Sequence, residues 1–105
     1  MKRQELTSKY QSMFDQAKEK SADWYVYGHA WALLAGSGAV DWVRSELAKA
    51  REQSLQNALE HGHRPDHDYG TYGVYMQTKV NLYNGVLEDL SLVEEVQGMT
   101  EVERI

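Results

Sequence analysis

Three histidines crowd into a short stretch of this chain: His61, His63 and His67, with Asp66 and Asp68 between and beside them. Imidazole and carboxylate suit zinc or another divalent ion, and three protein ligands would leave a coordination position open for water. The corresponding chemistry is metal-dependent hydrolysis, or simple metal binding, with zinc as the cofactor. The spacing His-x-His-x3-His matches no established ligand motif. A ligand set also needs rigid elements and outer hydrogen bonds to hold it, and these residues sit beside Gly62 and Pro65. A polar loop with solvated imidazoles, holding no cofactor, is therefore the expectation. His29 stands alone in an apolar segment, where a hydrogen bond inside the core is expected, with Tyr25 one turn away as its partner.

Two further residues break the pattern around them. Lys79 lies in the middle of an apolar arc, with Tyr75 and Tyr83 one turn to each side. Its stem is expected to cover apolar surface while its ammonium meets the tyrosine rings. A lysine of lowered pKa could serve as a nucleophile, but the sequence supplies no other part of such a mechanism. Trp42, on a wheel of about 100° per residue, falls nearly opposite Val40, Leu47 and Ala58 and among Lys49, Gln53 and Gln56. It either folds back over the glycine turn before it or contacts a partner, tryptophan being enriched at interface hot spots. The chain has no cysteine, which removes thiolate metal sites, cysteine nucleophiles and disulfides. No Gly-x-Gly-x-x-Gly or Walker-type loop is present to cradle a phosphate.

The elements that would position these residues read as helices. Over 4–20, Leu6, Tyr10, Met13, Phe14 and Ala17 share a stripe, which makes an amphipathic helix. Ser21 offers an N-cap and Asp23 a favourable first-turn charge for a second helix over 22–35. That helix is apolar all the way round, so neighbours are expected on every side of it, from this domain or from a second copy. Gly36-Ser37-Gly38 ends it, with Ser37 as the next N-cap. A third helix over 39–60 carries Val40, Val43, Leu47, Ala50, Ser54 and Ala58 on one stripe, and Gly62 and Pro65 end it. Residues 61–70 read as a loop. Thr71 caps a fourth helix over 71–97, with Gly98 as its stop and 98–105 as a frayed tail. No segment alternates apolar and polar residues as a half-buried strand does. The expected fold is all-α: one domain over 1–105, a compact four-helix bundle-like arrangement with a long C-terminal helical hairpin and no sheet.

Length and charge narrow the function. A chain of 105 residues suits one domain. Its net charge of −5 argues against a general nucleic-acid binder, leaving nucleic-acid binding or acidic mimicry of it as a weak alternative. Arg44, Lys49 and Arg51 on the helix after Gly36-Ser37-Gly38 suggest a helix-turn-helix, but Glu46 and Glu52 beside them oppose DNA contact. The acidic excess collects at the C-terminal end, in Glu88, Asp89, Glu94, Glu95, Glu101 and Glu103, a patch that keeps the protein soluble or steers a basic partner. Trp24 to Val40 lacks Asp, Glu, Lys and Arg, yet its glycines and His29 make it too short and too polar to span a membrane. Met1-Lys2-Arg3 precedes polar residues and not an apolar run, so a cytoplasmic location is expected.

Eleven aromatic residues, three Trp, seven Tyr and one Phe, exceed what these stripes need, and Tyr and Trp favour interfaces. The expected function is docking rather than catalysis: an adaptor, accessory subunit or inhibitor of a larger protein, or a homodimer, of the kind that phages and mobile elements encode. Trp42, Lys49, Glu88, Asp89, Glu94 and Glu95 are the expected partner-binding residues. The alternative is the metal-binding or hydrolytic reading through His61, His63 and His67.

Overall fold

The computed structural model describes residues 1–93. Within them are four α-helices, α1 (Arg3–Gln16), α2 (Ala22–Ala35), α3 (Val40–His61) and α4 (Tyr72–Leu90). Between α3 and α4 lies a two-stranded antiparallel sheet, β1 (Pro65–Asp66) and β2 (Gly70–Thr71). The chain is thus mostly helical, and the expectation of no sheet is corrected. The hairpin replaces the expected ten-residue loop because Asp66 accepts hydrogen bonds from the backbone N–H groups of Asp68 and Tyr69, at 3.0 and 2.8 Å. This side-chain turn, with Gly70 at φ 82°, folds the segment back and pairs Pro65 with Thr71.

The local signals explain most helix ends. Ser21 caps α2 by accepting from Trp24 N–H at 3.2 Å, and Thr71 caps α4 by accepting from Val74 N–H at 3.2 Å. The third cap differs from expectation: Ala39 and not Ser37 precedes α3, with no side-chain bond. The fourth helix also ends earlier, at Leu90. There the Ser91 hydroxyl donates to the Glu88 carbonyl at 2.5 Å, offering the backbone an alternative to continuing the helix. Residues 94–105, and with them the expected stop at Gly98 and the tail, lie outside the described residues.

The helices associate as two antiparallel hairpins, α1 on α2 and α3 on α4, joined mainly by α2 on α4. One core cluster draws on all four: Leu6 and Tyr10, then Val26, Ala30 and Leu34, then Val40, Val43 and Leu47, then Tyr83, Val86 and Leu90, with Val93 beyond. This core sits where α3 begins and α4 ends. Past Leu47, α3 buries only Ser54. At the far end Gly73 N–H donates to the Gly62 carbonyl at 3.0 Å, and a Cβ on Gly73 would stand 3.1 Å from the Gly62 backbone. Among the described residues no helix is long and apolar enough to cross a membrane.

The α2 helix is not covered on every side. Ala22, Val26, Ala30 and Leu34 are buried, whereas Asp23, Tyr25, Ala32 and Ala35 face solvent. The exposed positions are one carboxylate, two alanines and one amphipathic ring, so displaying them costs little. Its flank toward α1 is closed by Phe14, stacked between Trp24 and Trp31 with ring centroids 5.5 and 5.7 Å away.

Two of the helical glycines, Gly28 and Gly85, should respond in opposite directions to alanine. A Cβ on Gly28 would lie 2.7 Å from the Phe14 ring, which the flanking tryptophans prevent from swinging aside. Overpacking costs about 1–3 kcal/mol against about 1 kcal/mol gained in helix propensity. Gly85 has nothing within 4 Å of its Cβ position. In urea denaturation, Gly28→Ala is expected to lower stability by about 1 kcal/mol and Gly85→Ala to raise it by up to about 1 kcal/mol.

Candidate functional site

The side of α3 turned away from α4 carries Trp42 and Lys49, two of the residues singled out for partner contact. Trp42 is 50% exposed and Leu59, nearly five turns on, 75% exposed. Between them Ser45, Lys49, Glu52 and Gln56 are all exposed. Ser45, Ala48, Lys49, Glu52, Gln53 and Gln56 line a shallow groove of about 510 Å³. Lys49 reaches Glu46 of the same helix at 3.1 Å, and Arg44 reaches Asp41 at 2.7 Å. One face of the Trp42 indole lies over Gly38, where an added Cβ would collide with the ring. The fold-back expected for Trp42 is therefore present, and half of its surface still faces water.

The acidic residues at the other candidate surface divide. Asp89 is committed within the chain: its Oδ2 accepts from the Tyr10 hydroxyl at 2.5 Å and from Lys9 Nζ at 2.8 Å. Burial pushes the Asp89 carboxyl up, but the hydrogen bonds from Lys9 and Tyr10 outweigh it and hold the pKa below the usual value. Burial, then the bond to Asp89, raises the Tyr10 phenol. Asp89 thus ties α1 to α4, a role its sequence position does not signal, because Tyr10 is 79 residues away. Glu88, one residue earlier, is exposed. Glu94 and Glu95 lie outside the described residues.

Between α2 and α4 a set of titratable groups meets. Lys79 Nζ sits 5.1 Å from the centroid of Tyr25 and 5.7 Å from that of Tyr75. The tyrosine contact expected of Lys79 is present, with Tyr25 from the neighbouring helix where Tyr83 was expected. Tyr83 instead bonds His29, its hydroxyl 2.9 Å from Nδ1. That corrects the expected Tyr25 partner: Tyr83 is buried beneath the ring, while Tyr25 is 42% exposed and turns toward Trp24 and Lys79. Burial, then the Lys79 charge, lowers the His29 pKa, against an opposing pull from Glu46. Burial lowers the Lys79 pKa and pushes the Tyr83 phenol up to about 12. The arrangement places a hydroxyl, an imidazole and an ammonium, each partly withdrawn from water, between α2 and α4.

The histidine segment is spread out. His61 is the last residue of α3, with Nε2 3.9 Å from Glu60. His63 lies in the turn and His67 at the hairpin tip, both exposed. The flanking carboxylates are engaged elsewhere, Asp66 by the turn and Asp68 by Lys18 at 3.4 Å. Among the described residues no three His, Cys, Asp or Glu side chains gather as a metal-holding group.

Comparison of the chain with protein-family models, with curated proteins and with solved structures finds no match.

Two outcomes follow from these geometries. Purified protein without a tag is expected to carry no stoichiometric zinc by elemental analysis, and His61→Ala/His63→Ala/His67→Ala to leave its metal content unchanged. For Asp89, the folded pKa lies below the unfolded value of 3.8. The stabilisation is therefore full above that value and lost as pH falls through the folded pKa. At pH 7 Asp89→Asn is expected to cost about 1.5–3 kcal/mol. In urea titrations the gap between variant and parent should close toward pH 2.

Proposed function

We propose that this chain is a small acidic protein-binding module that works by docking and not by catalysis. In this reading it is an adaptor, accessory subunit or inhibitor. The four-helix bundle-like scaffold, with its long C-terminal α3–α4 hairpin, presents the outward face of α3 to a protein partner. The observation that carries the reading is Trp42, half exposed on a helix face that is polar from Ser45 to Gln56 apart from Ala48 and ends in the exposed Leu59. A large aromatic side chain shown to water at the head of a groove is the usual form of an interface anchor. Lys49 beside it supplies a charge that fixes register. Glu88 adds an exposed acid at the far side of α4.

A photo-cross-linking residue in place of Ser45, within the groove, tests this. In cells it is expected to give covalent protein adducts, and the same residue at Gln77 on the opposite side of the hairpin to give none. Adding Trp42→Ala should abolish the adducts while circular dichroism shows unchanged helicity. If Trp42→Ala instead unfolds the chain, Trp42 belongs to the fold and the docking reading fails.

A further inference from the structure

The outward face of α3 has an internal pattern that specifies its occupant. Trp42, Lys49 and Gln56 follow one another at seven-residue steps, and Ser45, Glu52 and Leu59 do so three residues later. These are two adjacent columns of a heptad, the positions that form the seam of a coiled coil. Every one of the six is exposed. Such columns drift only about 20° per heptad, so over this length they stay on one side of the helix. The buried stripe of Val40, Val43, Leu47 and Ser54 occupies the other side, so forming a second seam leaves the core untouched.

We propose that the occupant is a second copy of the chain, its α3 packed antiparallel on this face about a twofold axis between Ala50 and Arg51. The inference rests on the docking reading and adds the partner and the register. In an antiparallel pair each residue of one column faces a residue of the other column on the second helix. The axis at Ala50–Arg51 then sets Trp42 on Leu59 of the second copy, Ser45 on Gln56 and Lys49 on Glu52, and the symmetry repeats each layer. The two most exposed apolar groups of this face close the two ends of the seam. Its centre holds two reciprocal ion pairs. Trp42 and Leu59 lie about 25 Å apart along the helix, and each Trp–Leu end shields the charged centre from water.

Other registers lose this match. A parallel pair sets Lys49 on Lys49 and Glu52 on Glu52, two like-charge layers. Sliding the antiparallel pair one heptad in one direction faces Trp42 with Glu52 and leaves Leu59 without a partner. Sliding it in the other direction faces Lys49 with Leu59 and leaves Trp42 over solvent. One arrangement alone satisfies apolar ends and charged centre together. The polar Ser45–Gln56 layers keep the association moderate in strength, set by the ends and tuned by the charges.

Charge exchange on the full chain tests the register. Sedimentation equilibrium of the parent is expected to show a dimer. Lys49→Glu and Glu52→Lys are each expected to weaken it at least tenfold, with helicity unchanged. An equimolar mixture of the two variants is expected to restore dimers, because each glutamate then faces a lysine. The double variant Lys49→Glu/Glu52→Lys should recover them in a single chain. Dimers that ignore both substitutions, or neither mixing nor the double variant restoring them, would overturn the proposal. A parent that stays monomeric at millimolar concentration would also overturn it. If that monomer still gives Ser45 adducts with a different protein in cells, the docking reading stands and only the second copy is wrong.

Discussion

Between the α1–α2 and α3–α4 hairpins runs one apolar seam, and α4 supplies the side that both hairpins share. Met76, Val80, Tyr83, Val86 and Leu90 are all buried there. Each large side chain taken out of water stabilises by about 1.5–3 kcal/mol, so these five outweigh any single polar tie in the molecule. The ties decide orientation instead. A phenol placed in such a seam must find a partner or cost about 1–3 kcal/mol. Tyr83 finds it in His29 on α2, which fixes the angle at which the first hairpin lies on the second. Asp89 does the same at the edge of the seam, holding Lys9 and Tyr10 of α1.

The helix ends are stitched within each hairpin. Neither α2 nor α4 carries a basic residue in its last turn, where a cation would satisfy free carbonyls and complement the helix dipole. The cations come from elsewhere. Arg3 of α1 donates to the carbonyls of Leu34 and Gly36, at 2.9 and 3.1 Å. Arg44 of α3 donates to the Leu90 carbonyl at 3.3 Å. Each of these helices is closed by its hairpin partner.

What the sequence made legible follows from this division of labour. Helical periodicity located all four helices, because each buries a stripe of its own. Ser21 and Thr71 announced their caps, since capping acts over three residues. The fold-back of Trp42 over Gly38 and the tyrosines around Lys79 were also readable, as both rest on near neighbours. Long-range pairings were not. His29 with Tyr83, Lys79 with Tyr25 and Tyr10 with Asp89 depend on how one helix lies across another, which periodicity does not encode. The hairpin at Pro65–Thr71 escaped for a different reason: strands of two residues carry no alternation, and only the Asp66 turn and Gly70 hinted at it. Of the neighbours expected around α2, in the domain or from a second copy, the chain itself supplies those along Ala22, Val26, Ala30 and Leu34, because its outer positions, Asp23, Tyr25, Ala32 and Ala35, tolerate water.

The same reasoning bears on α3. Its two readings of Trp42, as a ring folded over the preceding turn and as a partner contact, are compatible. Contact with Gly38 holds one face of the indole and removes much of its rotamer freedom before any partner arrives. The other face remains in water. A side chain already fixed in this way loses less entropy on association than a free one, a difference of about 0.5–1.5 kcal/mol for each immobilised side chain. Gly38 is then more than a helix breaker. The missing Cβ opens the space in which the indole rests, so the turn that ends α2 also sets the presentation of Trp42 at the head of the α3 groove.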